Sequence, residues 1–88
     1  MLENPHIGQH VIINQPKGDG AFPSPYNGVS GHIVTMFGDK NMSVLVRFEF
    51  PLKLKYATLT ERWFSRYDLQ SYLLPFYRRE NLYQEILA

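Results

Sequence analysis

The chain has 88 residues, with nine basic and eight acidic side chains, three histidines, no cysteine and a formal net charge of +1. This length predicts a single domain over residues 1–88, near the lower limit of independent folding, and the lack of cysteine excludes disulfides and thiolate metal sites. No apolar run approaches the ~20 residues that cross a membrane, and the first residues lack a signal-peptide pattern, so we expect a small soluble cytoplasmic protein.

Alternating apolar and polar residues predict five short strands. Four of them cover 8–14, 31–37, 58–65 and 70–73. The clearest pattern lies at 42–50, where every second side chain is apolar and is expected to face the core: Met42, Val44, Val46, Phe48 and Phe50. Such alternation is typical of an antiparallel sheet with one buried face and one solvated face.

The connections between these strands differ in length. Residues 15–28 hold three of the six prolines and three of the six glycines, which predicts a long loop of the kind that often carries function. Residues 38–41 predict a tight connection, 51–57 an irregular one, and 66–69 a single helical turn. After Pro75, helical spacing predicts a C-terminal helix at about 75–87 that docks on the domain, on a partner or on a second copy of the chain.

In this order of elements, residues 8–73 resemble the SH3-like small β-barrel. Gly8-x-x-Val11, followed by Gly28-Val-Ser-Gly31, is similar to the opening of KOW and Tudor-type barrels. The run Val46-Arg-Phe-Glu, followed by Trp-Phe at 63–64 and Tyr-Asp-Leu at 67–69, is similar to the photosystem I subunit IV family. The resemblance implies an all-β fold, an SH3-like five-stranded small barrel with a C-terminal α-helix, and a role in binding other chains or nucleic acids.

Residues with catalytic or metal-binding potential do not form a recognisable pattern. His6 and His10 are four apart in an extended segment, which does not bring two rings to one ion, and a zinc site needs three or four ligands. Nothing in the sequence pairs two carboxylate side chains. No Ser-His-Asp set, His-Glu-x-x-His motif or phosphate-binding loop is present. The sequence therefore predicts a protein that is not an enzyme and has neither a metal nor a cofactor.

Aromatic and basic residues are the better candidates for function. On an SH3-like barrel, aromatic side chains near the first long loop and the later strands form a groove for extended chains. The predicted partner-binding residues are Phe22, Tyr26, Tyr56, Trp63, Arg66 and Tyr67. Trp63 fits a core position and a surface position equally well.

Two functions follow from these residues. The first is a non-catalytic binding module, a small adaptor or regulatory subunit that docks on a larger protein complex, because arginine and aromatic residues dominate protein interfaces. The alternative is a nucleic-acid or transcription-machinery binder that uses Arg47, Lys53, Lys55, Arg62 and Arg66 beside stacking rings. The pI near 8.0 lies below the range usual for dedicated nucleic-acid binders, so a protein partner is favoured.

Overall fold

The fold is all-β, as predicted. The computed structural model describes residues 1–17 and 23–72. These residues form five strands: β1 (His10–Ile13), β2 (Ser30–Phe37), β3 (Ser43–Lys53), β4 (Thr58–Ser65) and β5 (Leu69–Ser71). They make one antiparallel sheet in the order β4-β3-β2-β1-β5. Within the described residues no pairing joins β4 to β5, so both are edge strands, and the predicted helix at 75–87 lies outside these residues.

Two single 3₁₀ turns connect the strands where tight connections were expected. The first, Asp39–Asn41, joins β2 to β3 and contains two residues with positive φ, Lys40 and Asn41. The second, Arg66–Asp68, joins β4 to β5 and begins at Ser65, whose hydroxyl accepts a hydrogen bond from the backbone N–H of Tyr67 at 3.2 Å. A serine hydroxyl in this position satisfies a backbone donor that the short turn leaves free.

The core lies on one face of the sheet. Val11 and Ile13 of β1 are buried with Val44, Val46 and Phe48 of β3, as the alternating pattern predicts. The full core comprises Leu2, Val11, Ile13, Ile33, Val44, Val46, Phe48, Phe64 and Leu69. The amino-terminal arm contributes to it because the backbone N–H of Leu2 donates to the carbonyl of Arg66 at 3.1 Å, which places the leucine side chain against the sheet.

A register change between β3 and β4 overturns one prediction. Arg47 pairs with Glu61, but the next pair is Leu52 with Leu59, so four residues of β3 face one residue of β4. Such a bulge bends the strand and breaks its alternation. Phe50, expected in the core, is therefore 74% exposed.

β3 continues past the bulge and therefore extends beyond its predicted end. Residues 51–57 were expected to be irregular, yet β3 continues to Lys53 and the hairpin closes where the N–H of Leu54 donates to the carbonyl of Ala57 at 2.7 Å. Pro51 fits here because it lies within the bulge, where its missing N–H removes no inter-strand bond. The β3–β4 hairpin therefore extends past the bulge and ends in a tip at Lys55 and Tyr56.

Candidate partner-binding surface

A hydrogen-bond network anchors the ends of the first long loop. The backbone N–H of Gln15 donates to Oδ1 of Asn27 at 2.8 Å, and its side-chain amide donates to Oδ2 of Asp68 at 3.1 Å. The hydroxyl of Ser24, a buried residue, donates to Oε1 of Gln15 and accepts from the N–H of Tyr26 at 3.2 Å. The network ties both ends of the loop to the 3₁₀ turn before β5 and fixes the position of Tyr26.

Tyr26 lies against the core and not on an open surface. Its ring stacks on Phe48 with centroids 6.3 Å apart and meets Phe64 edge-on at 5.5 Å. The guanidinium carbon of Arg62 lies 4.4 Å from the centroid of Tyr26 and 4.9 Å from that of Phe64. This arrangement is a cation–π contact, and it covers the aromatic cluster from the solvent side.

Trp63 lies on the outer face of the sheet, which decides between its two possible positions. Phe64, the next residue, is buried, and successive side chains of a strand point to opposite faces. Trp63 pairs directly with Leu45 of β3 and is 46% exposed. The outer face of an antiparallel sheet is usually polar, so a tryptophan and a leucine side by side form an apolar patch there. We call Leu45 and Trp63 the outer patch.

An ion pair borders the outer patch. Arg47 and Glu61 are the next outward residues on β3 and β4, and they pair in the register. Nε and Nη2 of Arg47 both donate to Oε1 of Glu61, at 3.1 and 3.0 Å. Because both side chains are substantially solvated, the pair contributes little to stability, under about 1 kcal/mol. It does balance the charge of Arg47 beside the outer patch.

The remaining predicted aromatic residues lie far apart. Tyr56 occupies the tip of the β3–β4 hairpin and is 88% exposed, with Nζ of Lys55 5.2 Å from its ring centroid. Tyr67 lies in the 3₁₀ turn that follows the other end of β4. β4 has eight residues, so about 23 Å separates the two ends.

Arg66 holds two connections together. Its Nη1 donates to the carbonyl of Lys40 at 3.1 Å, and its backbone N–H donates to the carbonyl of Met42 at 2.9 Å. The residue is half-buried, so its side chain ties the turn before β5 to the turn between β2 and β3. This placement gives Arg66 a structural role in addition to any contact it makes with a partner.

The structure therefore does not gather the six predicted partner-binding residues into one groove. Tyr26 is on the inner face under Arg62, Trp63 is on the outer face, and Tyr56 and Tyr67 are at opposite ends of the hairpin. Phe22 lies outside the described residues. The predicted nucleic-acid residues are also dispersed: Arg47 and Arg62 point to opposite faces, the two lysines lie on the hairpin beyond the bulge, and Arg66 is in the turn.

Leu45 was not among the predicted site residues. The signal was present, because Leu45 is the one apolar residue at an outward position between Met42 and Glu49. An apolar side chain at a strand position that points away from the buried face indicates a contact on the outer face. Only the pairing with Trp63, which lies 18 positions later, joins the two into one patch.

The described part of the chain has neither a clustered metal site nor a membrane-spanning helix. Residues 1–17 and 23–72 contain no group of three or more histidine, aspartate or glutamate side chains placed to hold a metal ion. The same residues include no helix with the length and apolar character needed to cross a membrane. Comparisons with protein-family models, with curated proteins and with solved structures find no match to this chain.

Proposed function

We propose that this chain is a non-catalytic binding module that docks on a protein partner, as a small adaptor or regulatory subunit of a larger complex. The observation that carries the proposal is the outer patch. Trp63 and Leu45 lie together on a sheet face that is normally polar, with the Arg47–Glu61 ion pair at the border. A partly exposed tryptophan bordered by an arginine has the composition of an interface hot spot.

The topology supports an SH3-like barrel as the finer description of the fold. β1 lies between β2 and β5, and a single 3₁₀ turn precedes the short last strand, in the element order on which the resemblance rests. Closure of the sheet into a barrel through its β4 and β5 edges is part of this proposal. SH3-like barrels bind other chains or nucleic acids far more often than they catalyse, which is consistent with a binding role.

The exposed part of Trp63 sets the expected contribution to binding. A tryptophan buries up to about 250 Å², so the 46% that is exposed corresponds to roughly 110 Å². At about 25 cal/mol per Å², covering this area contributes about 2.7 kcal/mol. Trp63→Ala is then expected to weaken partner binding by a factor on the order of 100.

A protein partner is better supported than a nucleic acid. Phosphate binding needs several free cations on one surface, whereas Arg47 is paired with Glu61 and Arg62 lies over Tyr26 and Phe64 on the other face. Of the five predicted cations, this leaves the two lysines of the hairpin and Arg66 at the other end of β4. So few and separated cations neutralise few phosphates. The outer patch needs no charge to bind.

The experiment is an affinity capture of the tagged chain from its native lysate, with and without nuclease. Wild type, Trp63→Ala and Tyr56→Ala are compared, the last being a matched control because it removes an exposed aromatic residue far from the outer patch. We expect a stoichiometric protein that wild type and Tyr56→Ala retain after nuclease treatment and that Trp63→Ala loses. Recovery that disappears with nuclease, or that Trp63→Ala leaves unchanged, would contradict the proposal.

A further inference from the structure

Two histidines face each other across the β1–β2 pair. His10 pairs directly with His32, and their ring centroids are 6.3 Å apart at an interplanar angle of 64°. The neighbouring inter-strand bonds run from Ile33 N–H to the carbonyl of Gln9 and from Ile13 N–H to the carbonyl of Val29, both at 2.9 Å. Since bonded positions alternate along an antiparallel pair, the histidines occupy a non-hydrogen-bonded pair, where opposing side chains lie closest.

Both histidines lie on the outer face of the sheet. Val11 and Ile33, the neighbours of the two histidines along their strands, are fully buried, so His10 and His32 point to the outer face. His10 is exposed and His32 is half-buried. Among the described residues, side-chain hydrogen bonds engage the ring of His6 but neither of these two rings.

The separation of the rings suits a shared metal ion. A ring nitrogen binds a dication at about 2.0 Å and lies about 1.2 Å from its own ring centroid, so two imidazoles on one ion have centroids at most roughly 6.4 Å apart. The observed 6.3 Å is just under this limit, which is reached when the two nitrogens lie on opposite sides of the ion. The exposed ring of His10 can rotate to approach further. Imidazole is a good ligand for copper, nickel and zinc, and copper(II) binds most tightly in that series.

The surrounding charges permit a bound cation. The next outward residue along this row of the sheet is Arg47, which pairs with His32 in the register and forms the ion pair with Glu61 at 3.0 Å. Its positive charge is therefore balanced by a neighbouring carboxylate. Two protein nitrogens leave the other positions of the ion to water.

We propose that His10 and His32 form a two-ligand site for a copper(II) ion on the outer face of the sheet. The site is separate from the outer patch and does not depend on the proposed partner. Chelation by this pair exists only in the folded chain, because 21 residues separate the two histidines in the sequence. Nickel and zinc ions are expected to bind the same pair more weakly than copper.

In the test, the full chain, freed of any affinity tag, is titrated with copper(II) chloride at neutral pH, and binding is measured by calorimetry. The variants are His10→Ala, His32→Ala and His6→Ala, and His6→Ala is the matched control because it removes the third histidine without touching the pair. We expect one ion per wild-type chain, at least a tenfold loss of affinity in each pair variant, and no loss in the control. Circular dichroism confirms that each variant is folded, as expected for outward positions.

A second readout distinguishes chelation from binding at scattered sites. Copper should raise the thermal midpoint of wild type and His6→Ala, because an ion that binds only the folded state stabilises it, and should not raise that of the pair variants. Equal copper affinity in all four proteins would overturn the proposal. So would a loss that is as large in His6→Ala as in the pair variants.

Discussion

Replacing Gly31 by alanine tests the pairing of β2 with β3 directly. Gly31 is buried in the middle of the sheet and pairs with Phe48. A Cβ at this position would overlap the carbonyl oxygen of Arg47 and would lie 2.9 Å from both its carbonyl carbon and Cγ1 of Val46. The closest of these atoms belongs to the backbone, so no side-chain rotation can relieve the clash.

The cost follows from the displacement that alanine requires. Moving the Arg47 carbonyl to an ordinary contact distance opens β3 away from β2 by about 1 Å, against an inter-strand spacing of about 4.8 Å. Each inter-strand hydrogen bond that is lost costs about 1 kcal/mol, and overpacking adds roughly 1–3 kcal/mol. A total of about 3 kcal/mol or more is comparable with the roughly 3–5 kcal/mol that stabilises a domain of this size.

Urea denaturation followed by far-UV circular dichroism measures this loss. Gly31→Ala is expected to be largely unfolded without denaturant or to unfold at a much lower urea concentration than wild type. Gly8→Ala is the control, because Gly8 has a positive φ of 89° but open space at its Cβ position. That variant carries only the backbone strain of about 1–2 kcal/mol. If Gly31→Ala were as stable as Gly8→Ala, the observed register of β2 and β3 would be incorrect.

Two further changes test the faces of β4 and the anchor of the first loop. In urea denaturation, Phe64→Ala should lower the free energy of unfolding by about 3–5 kcal/mol, as expected for a buried phenylalanine. Trp63→Ala should lower it clearly less. An equal loss in both variants would contradict the assignment of the two faces. Gln15→Ala should cost about 1–3 kcal/mol because it leaves the buried hydroxyl of Ser24 without its acceptor. The control is Gln70→Ala, which removes an exposed glutamine from β5 and should leave the free energy of unfolding unchanged. Similar losses in both variants would contradict a stabilising role for the hydrogen-bond network around Ser24.

The strands were predictable because their signal is local. Alternation placed Val44, Val46 and Phe48 in the core, and the structure confirms all three. It failed at Phe50 because the bulge arises from the register with β4, which no pattern within β3 records. Apart from β3, the predicted strand bounds differ from the observed ones by at most two residues.

The candidate site was harder to predict because its contacts are distant in sequence. Tyr26 lies in a segment rich in proline and glycine, which favoured an exposed contact residue, yet it packs on Phe48 and Phe64. Adjacent aromatic residues at 63 and 64 must point to opposite faces, but only the pairing with β3 determines which of them is buried. The opposition of His10 and His32 likewise depends on the β1–β2 register, although both strands were predicted.

The four-against-one bulge between β3 and β4 has an evolutionary consequence. Because the bulge already absorbs a difference in length between the two strands, the hairpin tip beyond it can gain or lose residues without shifting the faces of the strands before it. Exposed tips are the places where insertions are tolerated best. Descendants of this fold could therefore vary the segment around Tyr56 in length and sequence while the paired segment from Val44 to Arg47 stays the same.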